Sequence, residues 1–227
     1  MNWQEPIDIY CERIDTSFWA EPINALTNLA FIIASLLAFR MYKKEGVSSY
    51  PFIFLASLVF IIGVGSFLFH TYANVWSGLA DTIPIWSFVV FYVMFSIRII
   101  FNASWFKTAR IMIIVFALAY LGFTLSQSDS TGEVPLNGSI QYAPALFFMV
   151  FFAVALYLKR ANLSKYAFYA VGIFLVSLMF RTADIEFCGS LSIGTHFMWH
   201  VLNAVMLYFL LYIMLLAIVQ NNKKLNL

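Results

Sequence analysis

The chain has 227 residues, 63% of them hydrophobic and only 11% charged, against about 25% charged in a soluble domain. So little polar surface cannot cover a globule in water, which excludes a soluble enzyme and points to an integral membrane protein. The net charge of +2 says little by itself, and no nucleic-acid partner is predicted.

In chain order, residues 1–21 are polar and aromatic, carrying Glu5, Asp8, Glu12, Asp15 and Glu21. They contain no basic stretch leading into an apolar core and a small-residue cleavage site, so no cleavable signal peptide is predicted. Seven apolar segments follow, near 22–42, 50–70, 78–100, 108–126, 141–158, 165–183 and 195–219, each close to the 20 or so residues that cross a bilayer. Because lipid satisfies no backbone polar group, spans of this length must be helices. The expected fold is therefore all-α, with an outer segment (1–21) and a seven-helix transmembrane domain (22–227). The one long connection with turn chemistry is SQSDSTGEVPLNGS, which carries Asp129 and Glu133.

Charge placement sets the expected orientation. Of the thirteen Lys and Arg residues, all but Arg13 and Arg181 fall on one side of a seven-helix arrangement. They are Arg40, Lys43, Lys44, Arg98, Lys107, Arg110, Lys159, Arg160, Lys165, Lys223 and Lys224. Acidic residues gather opposite: the N-terminal segment, Asp129, Glu133, Asp184 and Glu186. The N-terminus is thus expected outside and the C-terminus in the cytoplasm.

The chain has three histidines. His196 and His200 lie four apart in GTHFMWH, a spacing that on a helix puts both imidazoles on one face with Cβ atoms roughly 6 Å apart. His70 ends the second span, four residues after Ser66. In the predicted topology all three reach the outer end of the bundle, where Asp81 begins the third span. Ionisable residues within a membrane are costly and are functional candidates by default, and three neutral imidazoles with an open fourth position are one ligand set of catalytic zinc. Each residue also has a plainer reading. A lone membrane histidine more often bonds a neighbouring helix; Asp81 can pair with Arg181 or cap its helix, in LADTIP; Ser66 can bond its own helix's carbonyl. The coincidence of all three histidines at one depth favours a metal. Haem is disfavoured, since residues i and i+4 of one helix cannot ligate opposite faces of one ring.

Three stretches resemble the alkaline ceramidase family, within the superfamily that includes adiponectin-type receptors: YCERIDTSFWAEPINALTNLAF (10–31), GVGSFLFHTYANVWSGLADTIPIW (63–86) and DIEFCGSLSIGTHFMWHVLNA (184–204). Ser66, His70, Asp81, His196 and His200 meet the superfamily pattern of Ser-x-x-x-His, Asp and His-x-x-x-His. The resemblance implies a zinc-dependent amidase that cleaves the N-acyl bond of ceramide or a related N-acyl lipid. His70, His196 and His200 would hold Zn²⁺, Asp81 would move protons, and Ser66 would stabilise the oxyanion or hold Asp81 in place.

The resemblance also implies calcium in the acidic N-terminal segment, at Glu12 and Glu21 with Asp8 and Asp15 as substitutes. The pattern departs there, with Ile9 and Ile14 standing where the family has Asp and Asn; the alternative is a solvated acidic loop. Cys11 and Cys188, the two cysteines, both fall on the outer side, where disulfides persist. The resemblance implies that they pair; the alternative is two unpaired apolar fillers. The competing function is a zinc-containing, lipid-sensing receptor with little turnover, although the resemblance implies that such receptors carry the N-terminus inside. Short loops suggest a bacterial inner membrane with the site on its outer side; oligomeric state is unreadable.

Overall fold

The computed structural model describes residues 2–125 and 135–225. The predicted loop acids Asp129 and Glu133 lie outside the described residues. Among those described there is no β-strand, and extended pairing is limited to one bridge between Pro6 and Asn74. The helices are α1 (Pro22–Thr27), α2 (Leu29–Glu45), α3 (Tyr50–Tyr72), α4 (Val75–Phe95), α5 (Trp105–Leu125), α6 (Ala143–Lys159), α7 (Ala161–Ala183) and α8 (His196–Leu225). A π turn, Ser96–Ile100, prolongs α4, and a run of tight turns, Pro135–Tyr142, leads into α6.

Among the described residues, six stretches are long and apolar enough to cross a membrane: Pro22–Glu45 (α1 with α2), Tyr50–Tyr72, Val75–Ile100, Leu136–Lys159, Ala161–Ala183 and His196–Lys223. Helix α5, of 21 residues, carries Lys107 and Arg110 in its first two turns and is otherwise apolar. The chain is an all-helical, multi-pass membrane protein.

The connections are shorter than the sequence implied, and local chemistry explains why. Helix α3 ends in a left-handed Ala73 (φ 42°), and α4 starts two residues later behind Asn74. Asn74 accepts from the Ser77 amide at 3.2 Å while the Ser77 hydroxyl accepts from the Asn74 amide at 3.0 Å. This reciprocal capping box fixes the helix start. Asp81, expected at the head of its helix, therefore lies almost two turns inside α4 and is no cap. Arg160 alone separates α6 from α7, although the charged run 159–164 reads as a loop.

Helix α8 is the spine of the bundle. It packs against α7, α2 and α3, and its Leu211, Ile213, Met214, Leu215 and Ala217 are buried. With lipid as apolar as the core, helices associate by close packing at small residues. Gly63 illustrates this, for a Cβ there would sit 3.0 Å from the Ile32 side chain and 3.1 Å from the Asn28 carbonyl oxygen. The outward faces remain apolar, as at Ile113 in α5 and Phe151 in α6.

The N-terminal segment is fastened to the α3–α4 turn. Amides of Ile7, Val75 and Trp76 donate to the carbonyls of Ala73, Glu5 and Trp3 at 2.8, 3.2 and 3.2 Å, and the Asn74 side chain donates to Gln4 at 3.1 Å. Asn74→Ala removes the cap and that anchor together. It should lower the unfolding temperature in detergent, by an amount corresponding to about 1 kcal/mol, with specific activity of the folded fraction little changed.

Candidate metal centre

Three helix ends and the N-terminal segment build one polar cluster in an otherwise apolar bundle. His70 closes α3, and His196 and His200 occupy the first two turns of α8. All three are about 1% exposed. Their ring centroids lie 5.3 Å (His70–His196), 4.7 Å (His70–His200) and 4.7 Å (His196–His200) apart. One ring nitrogen from each falls within 4.8 Å of the others, which makes this trio the metal-compatible group among the described residues.

Each ring is oriented by a neighbour. His70 Nδ1 lies 2.6 Å from Glu21 Oε2, leaving His70 Nε2 buried without a partner. His200 Nδ1 lies 2.9 Å from Thr27 Oγ1, at the end of α1. The Tyr10 ring stacks on His196 at 3.7 Å, and His196 Nδ1 has no hydrogen-bond partner. Two buried imidazole nitrogens without a partner, in a trio whose ring nitrogens gather within 4.8 Å, are what a bound cation would satisfy, so the donor set fits a metal. Imidazoles suit zinc and also copper, iron or nickel.

Asp184 holds this end of the fold together. Fully buried, its Oδ1 accepts from the amides of Thr195 (2.7 Å) and His196 (2.8 Å), and its Oδ2 from that of Cys11 (2.9 Å). It thus caps α8 from eleven residues upstream while pinning the N-terminal segment. Gly194, at φ 61°, makes the approach: a Cβ there would lie 2.6 Å from that of Cys11. Cys11 and Cys188 are joined, with Cα atoms 5.5 Å apart.

Ser66 and Asp81 meet across α3 and α4. Ser66 is buried, and Asp81 Oδ1 is buried without a partner. Gly65 allows the meeting, because a Cβ there would lie 2.8 Å from the carbonyl carbon of Ala80 and 3.3 Å from Asp81 Cα. Arg181 forms no ion pair with Asp81, although its charge acts on it. The guanidinium instead donates to Tyr10 Oη at 2.8 Å and lies against the rings of Tyr10, Tyr142 and Trp199.

The four carboxylates considered for calcium are not gathered into a comparable group. Asp8 and Asp15 are exposed, and Asp15 Oδ1 accepts from the Ser17 amide at 2.8 Å. Glu12 caps α1 through the amides of Ile23 (2.7 Å) and Asn24 (2.8 Å). Burial pushes its carboxyl above the ordinary range, and those two N–H groups offset part of the rise. Glu21 is bound by Arg13 and His70. Burial alone would raise its pKa, but His70 and Arg13 outweigh that and hold it below the usual carboxylate value.

An apolar cavity of about 330 Å³ lies within the bundle, lined by Phe31, Phe88, Tyr142, Trp199 and Leu207 among others, with Lys107 and Lys159 also on its wall. Phe31 and Trp199 join it to the metal centre, the former packing edge-on to His200.

A buried three-histidine centre above an apolar cavity, in a multi-pass membrane protein, is the arrangement of a lipid-processing membrane enzyme. The ceramidase family model matches residues 7–226, and the chain belongs to that family: it is a hydrolase acting on the amide bond of ceramide. No curated protein matches the chain.

Tyr10, Arg13, Thr27, Asp184 and Gly65 carry no site role in the sequence reading, although each touches the centre or positions what does. Gly65→Ala should force α3 and α4 apart, keeping the bound metal while lowering turnover on the order of 10²-fold, the cost of misplacing a catalytic group by about 1 Å. Metal content and hydrolysis measured on the same preparation check this.

Proposed function

We propose that the protein is a zinc-dependent intramembrane amidase that hydrolyses ceramide, or a closely related N-acyl lipid, to a long-chain amine and a fatty acid. The observation that carries the reading is the convergence of three buried histidines, two of them with an orphaned ring nitrogen, next to Phe31 of an apolar cavity's lining.

His70, His196 and His200 hold the zinc, with Glu21 and Thr27 fixing the outer nitrogens of His70 and His200, as hydrogen-bonded partners of metal-ligating histidines do. Zinc, when bound, supplies a Lewis acid and lowers the pKa of water to about 7. The cavity takes the acyl chain and leaves the amide beside the histidines. Asp81 accepts the proton from the attacking water and returns it to the departing nitrogen. One C–O bond forms and the C–N bond breaks, giving a carboxylic acid and an amine. Ser66 holds the Asp81 carboxylate or donates to the oxygen that gains charge. Calcium has no part in this reading, because Glu12 and Glu21 are already engaged.

The proposed topology has seven spans, α5 being the seventh, with the N-terminus and metal centre on the outer face, in a bacterial inner membrane. Charge sorting supports it. The ends of α2, α4, α6 and α8 carry the basic residues, and the opposite end carries the acidic segment and Asp184.

Purified protein should carry one zinc per chain by elemental analysis, and His196→Ala should lose it; full occupancy in His70→Ala, His196→Ala and His200→Ala alike would sink the site. Incubated with a panel of N-acyl lipids and followed by mass spectrometry, the wild type should release fatty acid. Asp81→Asn should keep zinc and fold while losing about 10²–10⁴-fold in rate. A fully active Asp81→Asn would overturn its role as proton carrier.

A further inference from the structure

The acidic segment ahead of α1 invites a divalent cation, yet a cation of the chain's own already sits there. Arg13 is 7% exposed. Its Nε donates to Glu21 Oε1 at 2.5 Å, Nη1 to the Asp15 carbonyl at 3.1 Å and Nη2 to the His70 carbonyl at 3.2 Å. Glu21, 3% exposed, turns its second oxygen to His70 Nδ1 at 2.6 Å and to Asn24 Nδ2 at 3.1 Å. We propose that Arg13 is the resident cation of this segment, taking the place of calcium, and that it is a positioning residue for the metal ligand His70, acting through Glu21.

Calcium needs six to eight oxygen ligands. Both Glu21 oxygens are spent on Arg13, His70 and Asn24, both Glu12 oxygens on the head of α1, and the Asp15 carbonyl on Arg13. An incoming divalent ion would have to displace a buried guanidinium and would meet its repulsion. Without Arg13, the buried Glu21 would face the nearby Glu12 carboxylate with no permanent positive partner, and removing one partner of a buried ion pair is strongly destabilising.

The link to the metal centre is geometric. The guanidinium fork clamps His70 twice, directly at its main-chain carbonyl and indirectly at its ring through Glu21. A carboxylate on the outer nitrogen of a ligating histidine fixes its tautomer and orientation and raises its basicity. Arg13 keeps that carboxylate aimed at the ring. A flexible ammonium cannot reproduce this, since lysine lacks the planar, multi-donor fork.

The inference rests on the reading that the three histidines hold zinc, and the two fail separately. Zinc-loaded wild type in calcium-free buffer is titrated with calcium chloride and followed by equilibrium dialysis with radioactive calcium and by thermal unfolding; no stoichiometric uptake and no shift are expected. Zinc affinity is then measured by competition with a chromophoric chelator. Arg13→Gln should weaken it about 10–100-fold, the range for loss of an outer-shell partner, with Arg13→Lys falling between. Glu21→Gln should weaken it similarly, and Arg13→Gln/Glu21→Gln no further than Glu21→Gln alone, because both act through one carboxylate. Stoichiometric calcium binding by the wild type would overturn the proposal. So would unchanged zinc affinity in Arg13→Lys and Glu21→Gln, two near-isosteric variants that keep the test open if Arg13→Gln fails to fold. A wild type that binds no zinc at all would instead overturn the metal reading.

Discussion

A buried charge must be answered inside the protein, because neither lipid nor apolar packing will hydrate it. That constraint organises one whole end of the molecule. Asp184 spends its two oxygens on three amides drawn from the N-terminal segment and the start of α8. Arg13 answers Glu21 and the carbonyl of His70. Arg181 finds Tyr10 Oη and three aromatic faces. Unanswered atoms in this knot include His70 Nε2, His196 Nδ1, Asp81 Oδ1 and Arg181 Nε, groups of the region where the chemistry is proposed. Stability and function are therefore written in the same groups, with the satisfied ones holding the unsatisfied ones in position.

The three histidines were legible in the sequence because histidine occurs three times and an i, i+4 pair has one geometric meaning on a helix. Their joint depth followed from helix alternation alone. Arg13 was not legible, since one basic residue among acids on an outer loop looks like a solvated counterion until its burial is seen. Asp184 was equally hidden: its value depends on three amides remote in sequence, one of them Cys11, and no local pattern records that. Tyr10 and Thr27 needed the fold to bring them against His196 and His200.

Helix boundaries failed for a related reason. The stretch between α3 and α4 holds Thr, Asn and Ser, which read as a loop, but Asn74 and Ser77 satisfy one another as a cap and the turn collapses to two residues. Asp81 is thereby carried almost two turns into α4, where its backbone packs against Gly65 of α3. The same happens at Arg160. Polar residues at a membrane helix end mark where it caps as often as where it stops.

The metal centre draws on both ends of the chain: Tyr10, Arg13, Glu21 and Thr27 from the first thirty residues, and Asp184, His196 and His200 from the last fifty. During synthesis the early helices enter the membrane long before α8 exists. Until then His70 and Glu21 have each other, Arg13 and Asn24, the Cys11 amide lacks Asp184, and no three-histidine centre can close. On the proposed reading, catalytic competence therefore arrives with the last helix, as a single late event in the assembly of the bundle. A chain interrupted anywhere before residue 200 is left with a lipid cavity in the making and nothing with which to cut.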